Sequence, residues 1–115
     1  MREIHEKSGV EFEARFEATP GVPTVPQTAH WRLRCLANDR TLQDWTEVTP
    51  EILTGDAGEI VGVRVSIDIS GALNAILDRA NRREVKELQV VAAKDLDREY
   101  SETLRYAVRA ISGGR

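Results

Sequence analysis

The chain has 115 residues, a formal net charge of −3 and a hydrophobic content of 41%. That length corresponds to one domain with a core of ordinary size, and the composition is that of a globular protein rather than a disordered one. Charges of both signs are interspersed, which argues against a polyanion as the partner. The single cysteine cannot form an internal disulfide, and no apolar run is long enough to span a bilayer.

The amino-terminal segment 1–9 has neither a signal peptide's apolar stretch nor the periodicity of a core element. Ile4 is its one sizeable apolar side chain after Met1. We therefore expect this segment to be a flexible arm, and we expect no signal peptide. Its side chains, Ile4 and His5 among them, are expected to contact other proteins.

Alternation of apolar and polar residues dominates the first half of the chain and predicts strands over residues 10–18, 28–36 and 42–49. The second and third strands are joined by a turn at Asn38 and Asp39. The alternation slips between Leu42 and Trp45, which predicts a β-bulge. Turn-forming residues are concentrated over 49–58, so this segment is expected to be a loop.

The second half continues the pattern and predicts strands over residues 60–69, 84–93 and 99–110. Between them, residues 71–79 have helical spacing and follow Ser70, a residue suited to a helix cap. A hairpin loop is expected at residues 94–98, and residues 112–115 are expected to be a flexible tail.

These elements predict an all-β fold, a single antiparallel β-sandwich over residues 10–111 with one short helical turn. A barrel is the alternative. Trp31 is expected in the core, with Trp45 of the next strand packed against it. The full predicted core is Trp31, Leu33, Trp45, Val63, Val65, Ile67, Leu88, Val90, Leu104 and Tyr106.

No catalytic motif or metal-ligand spacing occurs in the sequence. Cys35 alternates with outward-facing arginines, which favours a small buried hydrophobe over a nucleophile. His30 is expected on the wet face of its strand. Asp95 and Asp97 could ligate calcium, but turn formation accounts for them better. We therefore expect a protein that is not an enzyme and needs no cofactor.

One local concentration of basic residues comprises Arg79, Arg82, Arg83 and Lys86. A nucleic-acid interface would require further positive charge around it, whereas acidic residues are interleaved here. A salt-bridged surface or a protein contact is the favoured interpretation, and neither nucleic acid nor a membrane is expected as a partner.

Three stretches, TAHWRLRCLANDRTLQDWTEVTPE, VRVSIDISGALNAILDRANRREVKELQVVA and ETLRYAVRAI, carry a family resemblance. Together they resemble small structural proteins of tailed bacteriophages that have an Ig-like or fibronectin-type-III-like β-sandwich. The resemblance covers roughly residues 22 to 111 and brings no catalytic or ligand-binding residue with it. It implies an Ig-like sandwich and a place in a virion assembled in the host cytoplasm.

The expected function is therefore that of a non-enzymatic virion protein. It would dock through strand edges and loops onto other structural proteins of the capsid, neck or tail, in multiple copies. The alternative is a free-standing Ig-like module that binds carbohydrate or protein on a host surface. That alternative predicts exposed aromatic side chains at one end of the sandwich.

Overall fold

The computed structural model describes residues 1–17, 26–78, 80–93 and 99–111 of the chain. Strands dominate these residues, and their one helical element is a four-residue 3-10 turn, too short to cross a membrane. The strands are β1 Arg2–His5, β2 Val10–Glu17, β3 Ala29–Cys35, β4 Arg40–Val48, β5 Glu51–Thr54, β6 Ile60–Ile69, β7 Arg83–Ala92 and β8 Tyr100–Arg109. The all-β prediction is confirmed.

The described strands form two sheets. The larger has the order β1-β8-β7-β3-β4 and the smaller has the order β2-β6-β5. Every neighbouring pair is antiparallel except β1 and β8, which run parallel. The expectation of a purely antiparallel sandwich is therefore corrected at this one edge.

The alternation seen in the sequence sets the inward face of each sheet. In β6, Val63, Val65, Ile67 and Ile69 are buried while Ser66 and Asp68 are exposed. The long strand β2 pairs with β6 in continuous register from Val10–Ile69 to Glu17–Gly62. Burying one face of such a strand stabilises a single register, because a slip by one residue would turn every apolar side chain outward.

The prediction of a flexible arm over residues 1–9 is wrong as a description of the fold. Residues 2–5 form β1, and Ile4 is paired with Val108 and packs against the core. The contact with β8 continues at Glu6, whose amide donates to the Arg109 carbonyl (2.8 Å). The sandwich therefore begins at Arg2 rather than at residue 10.

The connection between β6 and β7 also differs from the prediction. Helical geometry is confined to Gly71–Asn74, whereas helical spacing had been predicted over residues 71–79. Ser70 stands before this turn but its side chain makes no capping hydrogen bond. An ideal Cβ built on Gly71 would lie 2.1 Å from the Lys7 carbonyl oxygen, so the close approach of two backbones requires glycine there.

Strand β5 lies in the segment that was predicted to be a loop. Its four residues pair with β6, with Ile52 opposite Val63. Four residues with two adjacent apolar side chains carry no period-two signal, so pairing with β6 decides the conformation. The predicted hairpin loop 94–98 and tail 112–115 fall outside the described residues.

The core lies between the two sheets. All the predicted core residues are buried there except Leu104, which is partly buried against it, and Trp45, which lies elsewhere. Aromatic contacts join the sheets, with the Phe12 and Tyr106 ring centroids 5.1 Å apart. The Tyr106 hydroxyl donates to Asn74 Oδ1 (2.6 Å), and Asn74 Nδ2 donates to the Ser8 carbonyl (2.8 Å). Buried polar atoms thus close one end of the sandwich.

Candidate functional site

The outward face of the larger sheet carries a mixed aromatic and polar surface. Trp31 and Leu33 of β3 point into the core, so His30, Arg32 and Arg34 point outward. Arg32 lies opposite Gln89 of the central strand β7. The centre of this face therefore lies on β7 and β3, which are both interior strands of the sheet.

Arg32 is held from two sides. Its Nε donates to Gln89 Oε1 at 2.7 Å, and a second guanidinium nitrogen donates to the same oxygen. Its guanidinium carbon lies 4.7 Å from the centroid of the Trp45 ring. Arginine over tryptophan is an attractive cation–π arrangement, and both residue types are enriched at protein interfaces. We name Arg32 and Trp45 the Arg–Trp pair.

The register of β3 and β4 explains why Trp45 lies outside the core. Trp31 is opposite Thr46 and Leu33 is opposite Gln43, so Asp44 and Trp45 together face one residue of β3. The bulge predicted between Leu42 and Trp45 is confirmed. Thr46 and Val48 lie opposite the inward residues of β3, so ordinary alternation places Trp45 on the same face as Arg32. The prediction that Trp45 packs against Trp31 is wrong for this reason.

Neighbouring ion pairs extend the surface. The Glu87 carboxylate, only 8% exposed, accepts from the Arg105 guanidinium at 2.9 and 3.0 Å. On the other side of the face, Arg34 forms an ion pair with Asp39 in the β3–β4 turn. The face therefore presents guanidinium groups in fixed positions, each with donors left for a partner.

The predicted basic cluster is not one surface. Arg82 and Arg83 are exposed, whereas Lys86 is completely buried. Arg79 falls outside the described residues. Arg83 is brought to the amino-terminal strand, where its Nε lies 3.6 Å from the Glu3 carboxylate. The expectation that Lys86 contacts a partner is wrong, because its side chain points inward between the sheets.

Lys86 instead has polar partners inside the protein. Its Nζ donates to the Ala75 carbonyl (3.1 Å) and to Glu84 Oε1 (3.3 Å). The second carboxylate oxygen of Glu84 accepts from the Asp78 amide and from Asn81 Nδ2. These bonds fix the β6–β7 connection to the start of β7.

The protonation state of Glu84 follows from these contacts. Burial acts to raise its pKa, but hydrogen bonds from the Leu77 amide, Asn81, the Asp78 amide and Lys86 outweigh burial and lower it. Burial also raises the pKa of the nearby Tyr106 hydroxyl, with a further contribution from Cys35. Glu84 is therefore charged and Tyr106 neutral near pH 7. Cys35 is buried as predicted, with Sγ 3.9 Å from Glu84 Oε1.

The two predicted arm residues have separate environments. Ile4 is partly buried against the protein's own core, which removes it from an outer interface. His5 is exposed at the end of β1. Arg83 and β1 are the two parts of the predicted site that the structure brings together.

The Arg–Trp pair is the feature that sequence reasoning missed. The available signals were the outward position of Arg32 and plain alternation back from Val48, which places Trp45 on the arginine face. Within the described ranges, no group of three or more His, Cys, Asp or Glu side chains could hold a metal ion. No protein-family model, curated protein or solved structure matches this chain.

Proposed function

We propose that this protein is a non-enzymatic, Ig-like structural module of a tailed-phage virion. It docks on other virion proteins through the outward face of its larger sheet. The Arg–Trp pair is the single observation that carries the choice of face, because tryptophan and arginine are both enriched among interface hot spots. The phage context rests on the sequence resemblance described above.

Three features support the Ig-like assignment. The smaller sheet combines the second, fifth and sixth strands, and the larger sheet combines the rest. Strand β1 runs parallel to the last strand at an edge of the larger sheet. A buried tryptophan, Trp31, lies on β3 with the other sheet packed over it, as in many Ig-type sandwiches.

The position of Arg32 favours a protein partner over a carbohydrate. A sugar would stack on the open face of an aromatic ring, whereas the guanidinium group of Arg32 already lies over Trp45. The remaining donors of Arg32, Arg34 and Arg105 suit carboxylates and backbone carbonyls of a protein surface.

Incorporation into virions tests the proposal. Arg32→Ala and Trp45→Ala chains are expressed during infection in place of the wild type, and purified particles are assayed for the protein by quantitative mass spectrometry. Both variants are expected to fold and to be depleted from particles at least about tenfold, the effect of losing roughly 1.4 kcal/mol of binding free energy. Arg40→Ala, at an exposed arginine that begins β4, is the matched control and incorporates normally.

Two outcomes would contradict the proposal. Absence of the wild-type protein from purified particles would remove the virion role. Binding of the purified protein to host-surface glycans, lost on Trp45→Ala, would support the free-standing adhesion module instead.

A further inference from the structure

The two outward faces of the sandwich carry opposite charge. The strands of the smaller sheet point five carboxylates and two arginines outward, namely Glu11, Glu13, Glu17, Glu51, Asp68, Arg15 and Arg64. Among the described strand residues of the larger sheet, the outward arginines are Arg32, Arg34, Arg83, Arg105 and Arg109, with Glu3, Asp44, Glu47 and Glu87 as the outward carboxylates. Carboxylates outnumber arginines clearly on the smaller sheet, and arginines outnumber carboxylates slightly on the larger sheet; we name these the acidic face and the basic face.

The acidic face holds two carboxylates at directly opposed positions. Glu11 and Asp68 are opposite each other in the β2–β6 register, both exposed. Hydrogen bonding to Asp68 and the Asp68 charge raise the pKa of Glu11. Like charges at such a position are unfavourable unless a cation shares them. Arg64, the nearby arginine of β6, is already engaged with Glu13 and Glu51.

The basic face holds the reciprocal pair. Arg83 and Arg109 are opposite each other in the β7–β8 register. Glu3 lies between them, 3.6 Å from Arg83 Nε and 3.4 Å from Arg109 Nη1. One carboxylate does not neutralise two guanidinium groups, and the Arg83 and Arg109 side chains remain 47% and 63% exposed. Both retain donors for a further anion.

We propose that the Glu11–Asp68 pair of one molecule docks on the Arg83–Arg109 pair of a second copy of this chain. Both pairs are directly opposed cross-strand neighbours, so their Cβ spacings match at about 5 Å. Each carboxylate then meets one guanidinium group, the geometry in which carboxylate and arginine pair best. The inference deepens the proposed function, on which its biological role rests, by naming one partner of a multi-copy module.

The contact is heterologous, because the two pairs lie on opposite faces of the sandwich. Each molecule can therefore accept one neighbour on its front and another on its back. Such contacts build a closed ring or an open stack, depending on the rotation between neighbours. The exposed charge pairs also make the association salt-dependent, since exposed ion pairs are screened at high ionic strength.

Sedimentation velocity on purified protein tests the contact through two variants. The acidic-face variant carries Glu11→Gln and Asp68→Asn, and the basic-face variant carries Arg83→Gln and Arg109→Gln. At low salt the wild type is expected to form species that grow with concentration and dissociate at high salt, whereas each variant alone remains monomeric. An equimolar mixture of the two variants should form dimers and nothing larger, because each then retains one intact face.

Controls separate this contact from general charge effects. Asp56→Asn with Glu59→Gln removes two exposed carboxylates at the β5–β6 turn and should leave the association unchanged. Circular dichroism establishes that each variant is folded. If the arginine substitutions disturb β1, the acidic-face variant still tests the contact, because it leaves the Glu3 ion pairs intact. A wild type that is monomeric at low salt throughout, or a mixture that stays monomeric, overturns the inference. Virion incorporation through Arg32 and Trp45 would still stand in either case.

Discussion

Glu84 and Lys86 point inward from the same strand and form an ion pair of 3.3 Å in which both side chains are wholly inaccessible to solvent. Moving two charges out of water is costly, and the surrounding hydrogen bonds offset that cost. Glu84 also accepts from the Leu77 and Asp78 amides. The pair therefore fixes the path of the chain between the two halves of the sandwich.

Removing only the cation is expected to be more damaging than removing both charges. Lys86→Met should lower the free energy of unfolding by about 3–5 kcal/mol, because it leaves Glu84 buried without its ion partner. The double variant Lys86→Met with Glu84→Gln should lose less than Lys86→Met alone. Urea denaturation measures the free energy of unfolding of both variants. A loss below about 1 kcal/mol for Lys86→Met would mean that the ion pair is exposed to solvent.

Glu84 also predicts how stability depends on pH in acid. Its folded-state pKa is lowered, so its contribution is present above the pKa of the unfolded chain and is lost as pH falls through the folded value. Thermal melting from neutral to acidic pH should show a steeper loss for the wild type than for Glu84→Gln. Parallel profiles for the two proteins would mean that another carboxylate dominates.

Glu11 predicts a dependence of stability on pH that has the opposite sign. Its folded-state pKa is raised, chiefly by the hydrogen bond with Asp68, so the associated stability is present at low pH and is lost as pH rises through that value. Glu11→Gln should therefore raise the melting temperature at neutral pH and leave it unchanged in acid. Glu17→Gln, on the same face of β2, is the control and should show no such difference.

The two tryptophans should differ strongly in their contribution to stability. Trp31 is 9% exposed in the core, and Trp31→Ala should cost roughly 3–5 kcal/mol in the free energy of unfolding. Trp45 lies outside the core, and Trp45→Ala should cost about 1 kcal/mol or less, the value of a partly exposed cation–π contact. Chemical denaturation under the same conditions measures the free energy of unfolding of the two variants. Equal losses would mean that Trp45 is also a core residue.

Strand β1 should contribute to stability in the isolated chain. Deleting residues 1–5 removes the pairing with β8 and exposes the core surface that Ile4 covers, so the melting temperature should fall. Ile4→Ala should lower it by a smaller amount, since a buried methylene group contributes about 0.8 kcal/mol. His5→Ala, at an exposed position of the same strand, is the matched control. A truncated protein that melts like the wild type would restore the flexible-arm prediction.

Alternation in the sequence by itself determined which residues of the regular strands enter the core. The inward faces of β2 and β6, the burial of Cys35 and the bulge in β4 all follow from a period of two, because successive side chains of a strand point to opposite faces. Alternation is strongest in strands that have one solvent-exposed face. Those strands were predicted within two residues of their observed ends.

Only the tertiary structure decided what the less periodic segments do. Residues 2–5 and 51–54 become strands because β8 and β6 offer them edges, and those partners are distant in sequence. Lys86 is buried because Glu84 and the Ala75 carbonyl satisfy its charge, a condition that hydropathy does not encode. Trp45 lies outside the core because the β3–β4 register sets Thr46, rather than Trp45, opposite Trp31. In each case the outcome depends on a partner that only the folded chain supplies.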